Sequence, residues 1–132
     1  MSEKQVQLIN LPKILDPRGN LTFLQYSDQV PFEINRVFWI YDIPGGKVRG
    51  GHAYKKQCEL IIAMSGSFDV VVNDGKQEQR FHLNRSYTGL YIPAKVWRHM
   101  ENFSTNSLSL HLSDSAYDAE DYLWDKNNFL KE

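Results

Sequence analysis

The residues with chemistry to offer stand close together. Gly46, His52, Tyr54, Glu59 and Gly66 are spaced as G-x5-H-x-Y-x4-E-x6-G. His52 titrates near neutral pH and can take or return a proton. Tyr54 is a hydrogen-bond donor and Glu59 an anion. With a histidine at position 54, the same spacing would make a set of metal ligands. A later stretch, GLYIPAKVWRHMEN, brings Arg98. A guanidinium is a permanent cation with no lone pair, so it repels a metal ion. A Tyr, His, Glu set facing an arginine is a poor cage for zinc or iron. The expectation is a site that works without a metal and without a cofactor.

Strands must position these groups. LTFLQY, RVFWIYD, ELIIAM, FDVVV, YTGLYIP, VWRHME and SLSLHLS are rich in branched and aromatic residues, as strands require. Asn73–Asp74–Gly75 between two of them reads as a two-residue hairpin turn. Side chains two apart share a face, so His52 and Tyr54 point the same way. Arg98 goes with Val96 and Met100, and His99 faces the other side. His82, His99 and His111 read as exposed or packed. Leu108, Leu110 and Leu112 alternate as one core-facing side. After Tyr117, DAEDYLWDKNNFLKE places acids before lysines, which suits a short helix and its dipole. Its Tyr122, Leu123 and Phe129 would dock outside the sheets.

The 132 residues with a formal charge of −1 are read as a single domain, 1–132, with no footprint of nucleic-acid binding. The N-terminus has no apolar signal segment and no run reaches membrane-spanning length. A cytoplasmic protein is expected. Cys58 has no internal partner and reads as a small packed side chain.

The spacing resembles the first cupin motif with its second histidine replaced. The second motif, G-x5-P-x-G-x2-H-x3-N, is also altered. Gly89 lies three residues before Pro93, Lys95 stands for glycine, Arg98 for histidine, and Asn102 is kept. The expected fold is an all-β cupin, a double-stranded β-helix or jelly-roll barrel with a short C-terminal helix.

RVFWIYDIPGGKVRGGHAYKK, SGSFDVVVNDG, GLYIPAKVW and DPRGNL together resemble the dTDP-sugar 3,4-ketoisomerases, or WxcM-like cupins. The resemblance implies a metal-free enzyme, a homodimer with exchanged N-terminal strands, and a dTDP-linked keto-deoxy sugar as partner. The implied reaction converts dTDP-4-keto-6-deoxyglucose to a 3-keto isomer for the deoxyamino sugars of surface polysaccharide. His52 matches the first histidine of the family's H-A-H-K, and Tyr54 replaces the second. Arg49 and Arg18 match arginines of the pattern.

The implied chemistry takes a proton from carbon 3, forms an enediol and returns a proton at carbon 4. His52 is the expected principal acid/base, with Tyr54 assisting. An arginine nearby would lower the Tyr54 pKa. Arg49, Arg98, Arg18 and Glu59 are the expected substrate-binding groups, Glu59 also serving to orient His52. A nucleotide-sugar binding module without turnover, an epimerase on a related keto sugar and a metal-dependent cupin are the alternatives. Hydrogen bonding of His52 to Tyr54 beside an open pocket would favour the enzyme.

Overall fold

The computed structural model describes residues 5–131. Two five-stranded antiparallel sheets face each other as a jelly roll, with strands labelled in chain order. Sheet one runs β1 (Gln7–Asn10), β9 (Thr88–Ile92), β6 (Glu59–Ser65), β11 (Leu108–Ser113) and β4 (Arg36–Ile40). Sheet two runs β12 (Tyr122–Leu123), β5 (Arg49–Tyr54), β10 (Trp97–Glu101), β7 (Phe68–Asn73) and β8 (Glu78–Leu83). A small hairpin, β2 (Lys13–Ile14) with β3 (Leu21–Thr22), stands apart. The chain ends in α1 (Lys126–Lys131). Among the described residues no helix is long and apolar enough to cross a membrane.

Two cores sandwich sheet one. Between the sheets pack Ile61, Phe68, Val70, Val72, Leu90 and Met100, with their neighbours. On the other side, Leu60, Ile62 and Tyr91 pack under Ile9, Val30 and Phe32 of the N-terminal segment. That double burial is why ELIIAM is continuously apolar rather than alternating. It also revises the reading of β11. Leu110 and Leu112 do face a core, but it is the outer one. The inner positions are Ser109, His111 and Ser113, all buried. Cys58 packs in the outer core as a small apolar group, its thiol pushed up to about 12 by burial.

Three local readings change. The β7–β8 connection is a four-residue loop with Asn73 opposite Glu78, not a two-residue turn. Asn73 accepts from Gly75 N at 2.8 Å and Asp74 from Lys76 N at 2.8 Å, so side chains close the loop. Of LTFLQY only Leu21–Thr22 is strand. The C-terminal helix is confined to Lys126–Lys131. Before it, Ala119–Asp121 forms a 3-10 turn and β12 pairs antiparallel with β5, Tyr122 opposite Tyr54. Leu123 and Phe129 do dock outside, against Ala53 and Trp97; Tyr122 goes to the site instead.

The motif glycines have separate causes. A Cβ on Gly89 would meet Leu60 Cδ1 at 2.8 Å. Gly66 turns the chain from β6 to β7 at φ +67°, where a Cβ would lie 2.5 Å from Ser104 Oγ and 2.8 Å from Ser107 Cα. The lysine in a glycine's place, Lys95, takes φ +64° and donates its N–H to Tyr54 O at 2.7 Å. Gly66→Ala combines a left-handed backbone with overpacking, so it should cost about 2–4 kcal/mol in urea unfolding. A loss below about 0.5 kcal/mol, the scale of an ordinary surface change, would remove this turn as a constraint.

Candidate active site

An ion pair crosses the interior. Glu59 opens β6 of sheet one, and Arg98 stands in β10 of sheet two directly opposite His52 of β5. Arg98 Nη1 donates to Glu59 Oε1 at 2.9 Å, with side chains 1% and 3% exposed. The other guanidinium nitrogens reach Val96 O at 3.3 Å, and the guanidinium lies 4.8 Å over the Tyr54 ring. His111 Nδ1 stands 3.4 Å from Glu59 Oε2, too poorly aligned to hydrogen-bond it. The other edge of that imidazole bonds Ser109 Oγ at 2.9 Å, and its face stacks on Phe38 at 4.5 Å. Burial would raise the Glu59 pKa; His111 and Arg98 outweigh it and hold the carboxyl below its ordinary range. The residues at the former ligand positions therefore do not fit a metal. Arg98 takes one oxygen of Glu59's carboxylate and sets a fixed positive charge beside the other, and the Tyr54 hydroxyl is bonded to Tyr122 and Arg36.

His52 is 8% exposed, and its Nδ1 is buried without a hydrogen-bond partner. It packs ring against ring with Tyr54 at 4.7 Å, Tyr122 at 5.0 Å and Trp124 at 5.6 Å. No hydrogen bond joins it to Tyr54. Burial and then the Arg98 charge pull its pKa down to about 3, Glu59 only partly opposing. At neutral pH the imidazole is uncharged, and its protonation is favoured only when a negative charge comes to lie beside it. Tyr54 is fully buried. Its hydroxyl donates to Tyr122 Oη at 3.4 Å and accepts from Arg36 Nη2 at 3.4 Å. Its pKa is raised, not lowered as the sequence led one to expect. Burial and the Glu59 charge dominate, and Arg98 opposes them more weakly. The phenol is a donor, not a base.

The other expected residues are spread out. Arg98 and Glu59 pair with each other and are almost fully withdrawn from solvent, and their charges act on His52 in opposite directions. Arg49 is exposed and borders a cleft with Trp39, Tyr41 and Val48. Arg18 is exposed in the β2–β3 connection and forks onto Asp16 at 2.8 and 3.0 Å. Neither lies against His52. His99 faces outward and pairs with Glu101, and His82 is exposed beside Asp69 at 2.6 Å.

Sequence reasoning missed the residues that hold the site's wall. Asp121 accepts from Lys56 N, Gln57 N and Gln57 Nε2 at 2.9–3.1 Å. That fastens β12 to the β5 edge and seats Tyr122 and Trp124, stacked at 4.9 Å, beside His52. Arg36 heads β4, and its inward parity with Phe38 and Ile40 was a usable signal.

A family model described as WxcM-like, C-terminal, matches residues 4–132. The chain belongs to the WxcM-like family. It is 36% identical over 125 residues to a TDP-4-oxo-6-deoxy-α-D-glucose-3,4-oxoisomerase of Aneurinibacillus thermoaerophilus, covering 95% of this chain and 90% of that one. Among solved structures, the WlaRB TDP-quinovose 3,4-ketoisomerase of Campylobacter jejuni is 42% identical at TM-score 0.92, over 98% and 99% of the two chains. A variant of the 3,4-ketoisomerase QdtA of Thermoanaerobacterium thermosaccharolyticum, in complex with TDP-4-keto-6-deoxyglucose, is 31% identical at TM-score 0.93, over 96% and 91%.

In this WxcM-like site the buried His52 makes folding pH-dependent. Unfolded, it takes a proton near pH 6.5; folded, only near 3. The unfolded chain binds more protons in that window, so stability falls as pH drops through it. The slope approaches about 1.4 kcal/mol per pH unit. Above the ordinary glutamate value of 4.5, urea midpoints of the wild type should fall with acid while those of His52→Asn stay flatter. Parallel curves for the two proteins would show that His52 is not held neutral by the fold.

Proposed function

We propose that this WxcM-like chain is a 3,4-ketoisomerase that converts TDP-4-keto-6-deoxyglucose to a TDP-3-keto-6-deoxyhexose. The observation that carries the reading is a neutral, almost buried imidazole on the inner wall of a fold whose relatives are named for this reaction. His52 takes the proton of carbon 3, and the bonding pair becomes the carbon 3–carbon 4 double bond. The carbonyl pair moves onto oxygen 4, giving an enediolate. Oxygen 3 then passes its proton to oxygen 4 and its electron pair forms the carbon 3 carbonyl, while the double bond takes the proton held by His52, exchanged with solvent, at carbon 4. Atoms and electrons balance with no outside oxidant or reductant.

Burial, reinforced by Arg98 and partly opposed by Glu59, keeps His52 neutral until the substrate's charge develops. The Tyr54 O–H, given to Tyr122 at rest, turns toward the oxyanion as charge develops there. Exposed Arg49 and Arg18 bind the diphosphate, carried to it by loop movement or by the partner chain of the dimer. The aromatic wall of Tyr122 and Trp124 keeps the reacting carbons from water, and low local dielectric strengthens every charge inside. The product fits a place before amino transfer, in deoxyamino-sugar synthesis in the cytoplasm for surface polysaccharide.

A proton NMR time course in D2O with TDP-4-keto-6-deoxyglucose tests the reaction. A 3-keto product carrying deuterium at carbon 4 is expected. His52→Asn should abolish turnover with an unchanged fold, and Tyr54→Phe should slow it on the order of 10²-fold. A bound ligand with no exchange would turn the reading toward a binding module.

The working unit is a homodimer with exchanged N-terminal strands. In the single chain β1 pairs with its own β9, Gln7 opposite Tyr91; a partner's β1 would make the same bonds. Apolar surface supports association: Val37, Trp39 and Met64 on sheet one are 45–57% exposed, and Leu15 and Leu21 of the hairpin segment 70% and 55%. Such a patch marks an interaction surface. Light scattering should give twice the 15.4 kDa chain mass, and Trp39→Glu should shift it toward the monomer. A monomeric wild type would end this reading.

A further inference from the structure

Most arginines near a neighbour in this structure are neutralised. Arg18 pairs with Asp16, Arg80 with Asp69 and Arg98 with Glu59, while Arg49 and Arg85 lie exposed in solvent. Arg36 differs from both groups. It is half-buried on the inner face of β4, opposite Ser113 of β11. Among the described residues its polar partners are neutral. Nη2 donates to Gln57 Oε1 at 3.0 Å and to Tyr54 Oη at 3.4 Å, the Tyr122 hydroxyl is a further neutral partner of the guanidinium, and Nε is buried with no partner.

A charge withdrawn from water against neutral dipoles is expensive unless an opposite charge arrives. The surroundings nevertheless hold this one in place. The guanidinium lies 5.0 Å over Phe38 and 5.7 Å over Tyr117, contacts that fix its plane. Gln57, 1% exposed, is itself locked by Ser113 Oγ at 2.6 Å and Asp121 at 3.0 Å. The result is a preorganised cation with a donor left over, beside the phenol that packs on His52.

We propose that Arg36 is an oxyanion-binding residue of the site: with the Tyr54 hydroxyl beside it, its guanidinium holds the negative charge that develops on the substrate's carbon-4 oxygen when His52 takes the carbon-3 proton. The assignment rests on the ketoisomerase reading above. Two anions of a TDP-sugar are candidates, the diphosphate and the enediolate, and position favours the second. Arg36 and His52 flank the same residue, Tyr54, at 3.4 Å from its hydroxyl and 4.7 Å from its ring. The diphosphate is separated from carbon 4 by the width of the sugar ring and the glycosidic oxygen. Charge that appears only in the reaction is where a fixed cation accelerates most.

The test uses the full chain, with Arg36→Gln and Arg36→Lys compared by turnover of TDP-4-keto-6-deoxyglucose, carbon-3 exchange in D2O, and calorimetric affinity for TDP. Arg36→Gln should lower kcat and exchange together, on the order of 10²–10³-fold, as loss of an oxyanion donor does. TDP affinity should stay within about threefold, a split that separates transition-state from ground-state binding. Arg36→Lys should recover part of kcat, because it keeps the charge and loses the fork. TDP affinity falling in step with kcat/KM would assign Arg36 to the diphosphate and overturn the proposal. An unchanged kcat in folded Arg36→Gln would also overturn it. Should Arg36→Gln fail to fold, Arg36→Lys is read on the same two axes. Wild-type protein that binds TDP and exchanges nothing at carbon 3 would instead sink the ketoisomerase reading, and with it this one.

Discussion

The Arg98–Glu59 pair decides what the space between the two sheets can be. Each partner comes from a different sheet, and each is almost fully withdrawn from water. Two charges so placed are tolerated because they satisfy each other at 2.9 Å; removing one partner of such a pair typically costs about 3–5 kcal/mol. The guanidinium does in the interior what a metal ion would do at the same place. It neutralises the carboxylate and ties the sheets together. Unlike a metal, it offers no open coordination position, and the neighbouring imidazole is left with its Nδ1 unpartnered. The positive charge also disfavours a second cation at His52, adding to what burial already does. The tie between the sheets and the neutral imidazole are thus aspects of one arrangement.

Around that pair the site is assembled from both sheets and from the end of the chain. β5 supplies His52 and Tyr54, β4 supplies Arg36, and β12 closes the open edge of sheet two with Tyr122. The polar contacts holding this wall converge on Gln57 and Asp121. Gln57 is an effective junction because its amide both donates and accepts. It receives Arg36 and Ser113 on its oxygen and gives its nitrogen to Asp121. The wall is therefore coupled to β4 and β11 through a single side chain, with no lone charge at the junction itself.

The sequence was legible where spacing and parity carry the information. His52, Tyr54, Glu59 and Arg98 all point inward, as two-residue periodicity requires, and His99 points away. The swap of Lys95 for glycine is accommodated by a positive φ. Other features depend on distance along the chain. Gln57 meets Asp121 across 64 residues and Tyr54 meets Tyr122 across 68, and no local pattern announces either. Acidic residues before Tyr122 resemble a helix start because helix and side-chain clasp use the same residue types. The Tyr54 pKa went the other way for a related reason: an arginine can be seen in a sequence, whereas the loss of water around a phenol cannot. At β11 alternation was read correctly, but a sheet covered on both faces has two insides. The leucines face one and the serines and His111 the other.

The pairing of β12 with β5 also orders events at the ribosome. Tyr54 is synthesised 68 residues before Tyr122, a lag of about 3–14 s at ordinary translation rates. Through that interval the edge of β5 that carries His52 has no strand beside it. Its backbone donors and acceptors are open to any extended segment that can pair with them. A nascent chain of this kind exposes the strand that carries His52 as a sticky edge until β12 is made. When β12 arrives, it closes that edge and covers His52 with Tyr122 and Trp124 in the same step.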